Sequence, residues 1–377
     1  MNRSTIHATT GATLVFFGFG LLGAPAALAQ QGGRGRDRPR PGQPETPAAA
    51  STIATLVLED GRTREGVDVR EEKFAAIKFR DRGRNDEIPG DRVVEIRYQA
   101  APGAFTGGVS QYRGGAFDRA VQSFTACRNA AQDGTWVWFH ATYWLGESQR
   151  QAGNAGEAVT ELQRFLEKGA DHWLAPAAIF ALGKAQIDAG RHANAVTTFK
   201  RLDSGFGDSW GLRGKLGEAD AQFAQNQFAQ ARAAYETAER SASRHPGIRR
   251  QAQVGIGKCY VADKRYDDAV RYFEGIISQS GGVDPEVGGG AWVGIGDCRF
   301  EQAKASNNDQ NRLKEALIAY QTAVVRYAGV PGAYPRALFQ SAQIYRLLNL
   351  PDLAKHQEDE LRSRYPKSPL VRQLGGG

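Results

Sequence analysis

The chain has 377 residues, of which 48 are Lys or Arg and 41 are Asp or Glu, so its formal net charge is +7. Spread over so long a chain, this small excess does not by itself indicate nucleic acid or a membrane surface as the partner. The 41% of hydrophobic residues can fill a sizeable core, which excludes disorder of the whole chain, and three cysteines are too few for a disulfide framework.

Residues 1–29 are predicted to be a secretory signal peptide. A basic start is followed by an uncharged apolar stretch at 14–22, and Ala27 and Ala29 form a small-x-small cleavage site before Gln30. The layout resembles bacterial export signals, and no cysteine follows the apolar stretch, so we expect no lipid attachment there. We expect the mature chain to be periplasmic or extracellular, without a transmembrane segment. An uncleaved membrane anchor is the alternative, but the apolar stretch is short for a membrane span.

Residues 30–50 are predicted to be a disordered linker. They mix arginines with prolines and glycines and contain no apolar residue larger than alanine, so burial cannot offset the entropy of ordering them. The alternating Arg34, Arg36, Arg38 and Arg40 could contact an anionic surface such as lipid headgroups or cell-wall phosphates. A solvated spacer is the favoured interpretation.

Residues 51–98 are predicted to form a small β module. Apolar side chains alternate with polar ones in short segments, as in Leu56 and Leu58 or Ile77 and Phe79, and turn signals separate these segments. Four or five short strands of this size usually close into a barrel, and the pattern resembles SH3-like or Sm-like barrels. Sm-like barrels can bind RNA, which the expected export disfavours. We therefore expect a docking or capping role and no nucleic acid.

Residues 101–370 are predicted to be a repeat array, followed by a short tail at 371–377. From about residue 101 the hydrophobic period becomes helical, and one marker recurs: a small residue, an alanine twelve positions later and a large apolar residue four positions after that. The first five markers are Gly108/Ala120/Phe124, Gly146/Ala158/Leu162, Gly183/Ala195/Phe199, Ala219/Ala231/Tyr235 and Gly257/Ala269/Phe273. The sixth has eight extra residues and the seventh lacks the apolar residue: Gly296/Ala316/Tyr320 and Ala342/Ala354/Glu358.

The marker resembles the tetratricopeptide repeat, in which a W-x2-L-G-x2-Y segment is followed by A-x3-F and then Pro. Matching pieces include Leu145-Gly146, Leu182-Gly183 and Ile295-Gly296, the last preceded by Trp292. The resemblance implies a mainly α fold, an α-solenoid of about seven helical hairpins. The small residue lies on the first helix of each unit, helix A, and the alanine lies on the second, helix B. The units are longer than the usual repeat, as in the extended repeats of periplasmic bacterial proteins.

In tetratricopeptide arrays helix A lines a concave groove. One position after the marker, the charge alternates over five consecutive units: Glu147, Lys184, Asp220, Lys258 and Asp297. Three positions before or four after the marker, large apolar residues flank this row: Tyr143, Phe180, Phe223, Phe300 and Phe339. An apolar stripe rimmed by charges is typical of a binding site, so we predict that a protein segment docks between units two and six.

Two further considerations limit that prediction. The alternating charges could simply neutralise one another on a solvated surface, each exposed pair contributing little. The family's carboxylate-clamp lysines and asparagines are absent, so the resemblance does not imply binding of a chaperone C terminus.

Candidate catalytic motifs are few. Residues 207–211 match the G-x-S-x-G nucleophile elbow, but they fall between two helical hairpins rather than between a strand and a helix. The six histidines show no metal-ligand spacing such as H-E-x-x-H, and the carboxylates suggest no acid–base pair. We therefore expect no catalytic residues, no metal and no other cofactor. Cys259 and Cys298 occupy equivalent positions of consecutive units, too far apart for a disulfide at ordinary helix-packing distances.

Together these features predict a non-enzymatic, exported scaffold or adaptor that binds other envelope proteins through the groove. The architecture resembles periplasmic repeat proteins that coordinate cell-wall synthesis with outer-membrane constriction and, more distantly, the repeat component of the β-barrel assembly machine. The alternative is a cell-wall or envelope-polymer binding protein that acts through residues 30–50 and the β module.

Overall fold

The computed structural model describes the following parts of the chain: 51–280, 285–328, 330, 332–366 and 368–374. The expected signal peptide at 1–29 and the expected linker at 30–50 lie outside these residues, as does the end of the expected tail, 375–377. None of the described helices is long and apolar enough to cross a membrane.

The N-terminal described segment forms a five-stranded antiparallel sheet, not the closed barrel expected from its sequence. The strands are β1 (Ile53–Leu58), β2 (Thr63–Glu72), β3 (Ile77–Asp81), β4 (Arg84–Ile88) and β5 (Val93–Tyr98). Their order in the sheet is β4-β3-β2-β1-β5, and each neighbouring pair is antiparallel. β4 and β5 are therefore the two edges of an open sheet.

The sheet stays open because helices cover its apolar face. The alternating residues predicted to be core are buried, among them Leu56, Ile77 and Phe79, and they share one apolar core with residues of the helical array. β4 has no apolar face to bring to a barrel interior, since four of its five side chains are exposed. A closed SH3-like or Sm-like barrel is therefore not what these strands build.

The remaining described residues form helices, most of them paired in hairpins, as the repeat pattern predicts. The helices are α1 (Gly103–Arg113), α2 (Phe117–Ala130), α3 (Trp136–Gln151), α4 (Ala155–Lys168), α5 (Ala175–Asp188), α6 (His192–Lys200), α7 (Gly207–Ala224), α8 (Phe228–Ser241), α9 (Pro246–Ala262), α10 (Tyr266–Ser280), α11 (Pro285–Ala305), α12 (Gln310–Arg326), α13 (Tyr334–Leu347), α14 (Pro351–Arg364) and α15 (Pro369–Gln373). The first fourteen make seven hairpins, in which the odd-numbered helix is helix A and the even-numbered one is helix B.

The small residue of the marker leaves room for the large side chain on helix B. A β-carbon added to Gly183 would lie 2.5 Å from the Phe199 ring, and one added to Gly257 would lie 2.4 Å from the Phe273 ring. Non-bonded carbons keep about 3.5–4.0 Å apart at their optimum, so even a methyl group is too large at these positions. Helices A and B therefore approach each other closely at the marker.

The same rings also pack against a second glycine, in the next unit along the chain. A β-carbon on Gly217 would lie 2.4 Å from the Phe199 ring, and one on Gly294 would lie 2.4 Å from the Phe273 ring. Both rings are fully buried. Each ring is thus held between the A helices of two successive units. The second glycine lies two positions before the marker of its unit, outside the pattern of the marker itself.

The sheet packs on units two to four at the starts of their A helices. The Tyr98 ring stacks on Trp136, the first residue of α3, with ring centroids 3.7 Å apart. The Phe74 ring meets Phe206, just before α7, edge to face at 5.0 Å. In the backbone, the Phe74 N–H donates to the Asp171 carbonyl at 2.8 Å, in the loop between α4 and α5. The sheet and the array therefore share an interface as well as a core.

Replacing Gly217 by alanine should lower the free energy of unfolding by about 1–3 kcal/mol, because the new methyl group overpacks the Phe199 ring. Urea unfolding followed by circular dichroism measures this. Gly275 in α10 is the matched control, because it also lies in a helix but has open space where a β-carbon would be. Gly275→Ala should raise the free energy of unfolding by about 1 kcal/mol, because alanine has a higher helix propensity than glycine. Equal effects at the two positions would contradict the packing described above.

Candidate functional site

The large apolar residues expected along the groove are more buried than their positions suggested. Tyr143, Phe300 and Phe339 are less than a tenth exposed, so the expectation that they line an accessible surface is wrong. Neighbouring A helices contact one another, and these three rings pack into the resulting apolar clusters. Phe180 and Phe223 are only partly buried, each at the margin of its core cluster.

Among the alternating charges, only one of the four successive pairs forms an ion pair within the described residues. Lys184 Nζ lies 2.9 Å from Asp220 Oδ2. Glu147 is instead bound by Arg150 of its own helix, at 3.2 Å. Asp297 is bound by Arg336 of α13, at 2.8 Å. We call the surface formed by the following A-helix residues the charged face: Glu147, Lys184, Asp220, Lys258, Asp297 and Arg336.

Two of these aspartates accept hydrogen bonds from tyrosine hydroxyls on B helices. The Tyr320 hydroxyl donates to Asp297 Oδ1 at 2.7 Å, and the Tyr235 hydroxyl donates to Asp220 Oδ1 at 2.5 Å. Tyr235 and Tyr320 are the marker aromatic residues of units four and six, the units that carry Asp one position after the marker. The alternation of charge therefore has a structural component, because each aspartate satisfies a buried hydroxyl.

The pKa values of these carboxyls follow their surroundings. Burial raises the pKa of Asp297 above its ordinary value, more than the Arg336 charge lowers it. Asp220 is also affected by burial, but the Lys184 charge and the tyrosine hydrogen bond bring its pKa below the ordinary value. Burial and the neighbouring carboxylates hold the pKa of the Tyr235 and Tyr320 hydroxyls well above their usual range, so both remain donors.

Lys258 is the cation of the charged face that no carboxylate of the described residues binds. It makes no hydrogen bond or ion pair with any described residue, although its side chain remains exposed. Loss of solvent around its ammonium lowers the pKa of Lys258, although the negative charges of Asp220 and Asp297 oppose this. The positive charges of Lys184 and Arg336 lower it further. Two carboxylates and two other cations therefore act on Lys258, so that with its own charge the group carries one net positive charge.

A second polar cluster lies buried between the sheet and the array. The carboxylate of Glu72, the last residue of β2, accepts hydrogen bonds from the Tyr98 hydroxyl at 2.5 Å and the Trp173 indole N–H at 2.6 Å. His140 Nε2 lies 2.7 Å from the same carboxylate and His172 Nε2 lies 3.5 Å from it. Side-chain exposure is 9% for Glu72 and 5% for each histidine. We call these five residues the carboxylate cage.

Three members of the cage are residue types that bind metals. The ligand atoms of Glu72, His140 and His172 lie within 4.8 Å of one another. Their hydrogen bonds do not fit a metal site, however. His172 Nδ1 accepts the Leu174 N–H at 3.1 Å, so the proton of the neutral ring is on Nε2, which then has no lone pair for an ion. His140 Nε2 already shares a hydrogen bond with the carboxylate at 2.7 Å. The cluster is a carboxylate surrounded by donors.

Spacing along the sequence does not reveal the carboxylate cage, because its members come from distant positions. They lie on β2, β5, α3 and the loop between α4 and α5. One signal was present in the sequence: His140 interrupts an apolar and aromatic stretch at 136–145. A polar side chain in such a stretch is buried when the helix packs, and it then requires a buried partner.

Comparison with known families identifies the helical repeats. Residues 143–208 and 216–284 match the tetratricopeptide repeat family. These residues are therefore tetratricopeptide repeats, which confirms the resemblance seen in the marker for this part of the chain. No curated protein sequence matches the chain significantly.

Several solved structures superpose on the chain at low sequence identity. A tetratricopeptide repeat protein from Parabacteroides merdae has a TM-score of 0.48 at 12% identity, over 72% of this chain and 95% of that chain. A Rap protein complexed with competence and sporulation factor has a TM-score of 0.47 at 13% identity, over 72% of this chain and 75% of that chain. Pseudomonas aeruginosa pilF has a TM-score of 0.37 at 18% identity, over 67% and 98%. Superpositions this distant carry no information about what this chain binds.

Replacing Tyr320 by phenylalanine should lower the free energy of unfolding by about 1.5–3 kcal/mol, the usual contribution of a hydrogen bond to a charged group. The ring would stay in place, while Asp297 would lose a donor in a buried position. Tyr345→Phe is the control, because that hydroxyl has no hydrogen bond with a described residue. Urea midpoints give both values, and a loss at Tyr320 no larger than at Tyr345 would show that the Asp297 bond is unimportant.

Proposed function

We propose that this tetratricopeptide-repeat protein is a non-enzymatic scaffold that binds an acidic segment of another envelope protein on its charged face. The repeats support a role in protein–protein interaction, because arrays of this kind present a continuous surface of A helices to a partner. The observation that carries the proposal is Lys258, a partly desolvated ammonium that no described carboxylate binds.

The chemistry around Lys258 favours a carboxylate as the ligand. Lys184 and Arg336 contribute further positive charge there. The aspartates on either side are already engaged, each by one cation and one tyrosine hydroxyl. An incoming Asp or Glu side chain would restore the charge balance. It would also meet an ammonium that has lost part of its hydration on folding, so the pair should be stronger than an ordinary surface ion pair.

Phe180 and Phe223 supply apolar contacts on the same surface. Both rings are partly accessible, and Lys184 Nζ lies 6.0 Å from the centre of the Phe180 ring. A partner segment with an apolar side chain beside an acidic one would contact a ring and an ammonium together. Aromatic anchors next to charges that set the register are a common arrangement in peptide recognition.

Peptide display on the chain spanning residues 30–377 tests the proposed specificity. We predict that selected peptides contain Asp or Glu beside an aliphatic or aromatic residue. For the strongest peptide, Lys258→Ala should raise Kd by about tenfold or more in calorimetric titration, the loss expected for one charge-assisted hydrogen bond. Higher salt should weaken binding to the wild type more than binding to Lys258→Ala.

Lys314→Ala is the matched control, because it removes the same charge from an exposed position on α12, a B helix. It should change Kd less than about twofold, as expected for a solvated surface charge. Selected peptides without acidic residues, or an unchanged Kd for Lys258→Ala, would refute binding at the charged face. Sedimentation with purified cell wall that Lys258→Ala leaves unchanged would instead support the alternative function assigned to residues 30–50 and the sheet.

We also propose that the protein is exported and cleaved after Ala29. The apolar stretch and the small-x-small site of the sequence support this. The intact mass of protein recovered from the cell envelope should correspond to a chain that begins at Gln30. A mass that still includes residues 1–29 would show that the segment is not removed.

A further inference from the structure

We infer that the carboxylate cage is an acid-sensitive latch, which holds the sheet on the helical array at neutral pH and loosens in mildly acidic solution. The inference does not depend on what the charged face binds. It rests on the hydrogen bonds around Glu72 and on the protonation state that they impose on His172.

The cage coincides with the main-chain bonds that join the sheet to the array. The Trp173 N–H donates to the Glu72 carbonyl at 3.0 Å, and the Phe74 N–H donates to the Asp171 carbonyl at 2.8 Å. Lys73 Nζ adds an ion pair to Asp171 at 3.1 Å. The carboxylate of Glu72 thus lies at the centre of a short segment where β2 and the loop between α4 and α5 run side by side.

His172 can carry only one proton in this arrangement. Its Nδ1 accepts the Leu174 N–H, so the ring proton is on Nε2, which faces the Glu72 carboxylate. A second proton would have to sit on Nδ1, where it would meet the Leu174 N–H, and two donors cannot bond to each other. His172 is also buried, and no described residue offers its Nε2 a partner within hydrogen-bonding distance and angle. The docked geometry therefore selects the neutral ring.

The charges around His172 come from each element packed against it. Glu72 faces it from β2, His140 from α3 and Asp171 from its own loop, and Lys73 reaches the same loop. Burial lowers the pKa of His172 below its ordinary value, even though the charge of Glu72 opposes this. The buried Glu72 keeps a pKa well below its usual range because the charge and hydrogen bond of His140 outweigh burial. The carboxylate therefore stays ionised, and His172 is the group of the cage whose protonation the docked geometry opposes.

The sign of the effect follows from proton linkage. A free histidine takes up a proton near pH 6.5, whereas docked His172 does so only at lower pH. The docked state has its full stability above about pH 6.5 and loses it as the pH falls below that value, because only the loosened state gains the proton. Between pH 7.5 and 5.5, the equilibrium constant for docking should fall by up to about tenfold.

Hydrogen exchange of the whole chain, read by mass spectrometry at pH 7.5 and 5.5, tests the latch. Rates are corrected for the intrinsic pH dependence of exchange. Peptides that contain the amides of Phe74 and Trp173 should lose protection by up to about tenfold at pH 5.5, and peptides from α12 should not. His172→Asn should abolish this dependence, because its Oδ1 can accept the Leu174 N–H in place of Nδ1 and does not titrate.

His356→Asn is the matched control, because it removes an exposed histidine on α14 and should keep the wild-type response. If His172→Asn lacks the helical circular-dichroism signal, His172→Gln takes its place. This variant keeps a neutral donor towards Glu72 and should likewise abolish the pH dependence of exchange. An equal loss of protection in wild type and His172 variant would overturn the latch. Protection that Zn²⁺ raises at pH 7.5 in the wild type but not in the variant would also overturn it, because the cage would then be a metal site.

Discussion

Two units of the array are each built on a large ring held between two glycines of successive A helices. Phe199 touches the positions of both Gly183 and Gly217, and Phe273 touches those of Gly257 and Gly294. The ring is too close to either backbone for a β-carbon to fit, so the side chain of one unit sets the spacing of its own hairpin and the distance to the next. The same contact therefore stabilises both the hairpin and its stacking on the next unit, as expected for repeats that cannot bury their apolar faces alone.

Where the ring is a tyrosine, its hydroxyl links this core contact to the charged face. Tyr235 and Tyr320 occupy the same positions as the phenylalanines, and their hydroxyls extend to Asp220 and Asp297. A buried hydroxyl needs an acceptor, so the aspartates of the charged face are partly a consequence of core packing. Units with phenylalanine have no such requirement. In units three and five the corresponding residue is a lysine: Lys184 pairs with Asp220, whereas Lys258 makes no ion pair with a described residue.

The sequence could predict what is periodic and local. The helical hairpins and the alternating core residues of the strands follow from the spacing of apolar residues along the sequence, because this spacing indicates which side of a helix or strand is buried. The spacing does not indicate which other element packs against that side. The sheet was therefore expected to close on itself, although the array covers it, and Tyr143 and Phe300 were expected to face solvent although neighbouring helices cover them. The carboxylate cage could not be predicted for the same reason, since its members meet only when sheet and array dock.

Lys258 is a partly desolvated cation, and no carboxylate of the described residues binds it. Carbon-13 NMR of reductively methylated lysines measures this directly, with Lys258→Arg used to assign the signal. In the free protein the pKa of Lys258 should lie below that of the other lysines. When a selected acidic peptide is bound, it should rise, because a nearby carboxylate favours the charged form. A Lys258 pKa that is ordinary in the free protein, or that does not change on binding, would contradict the account.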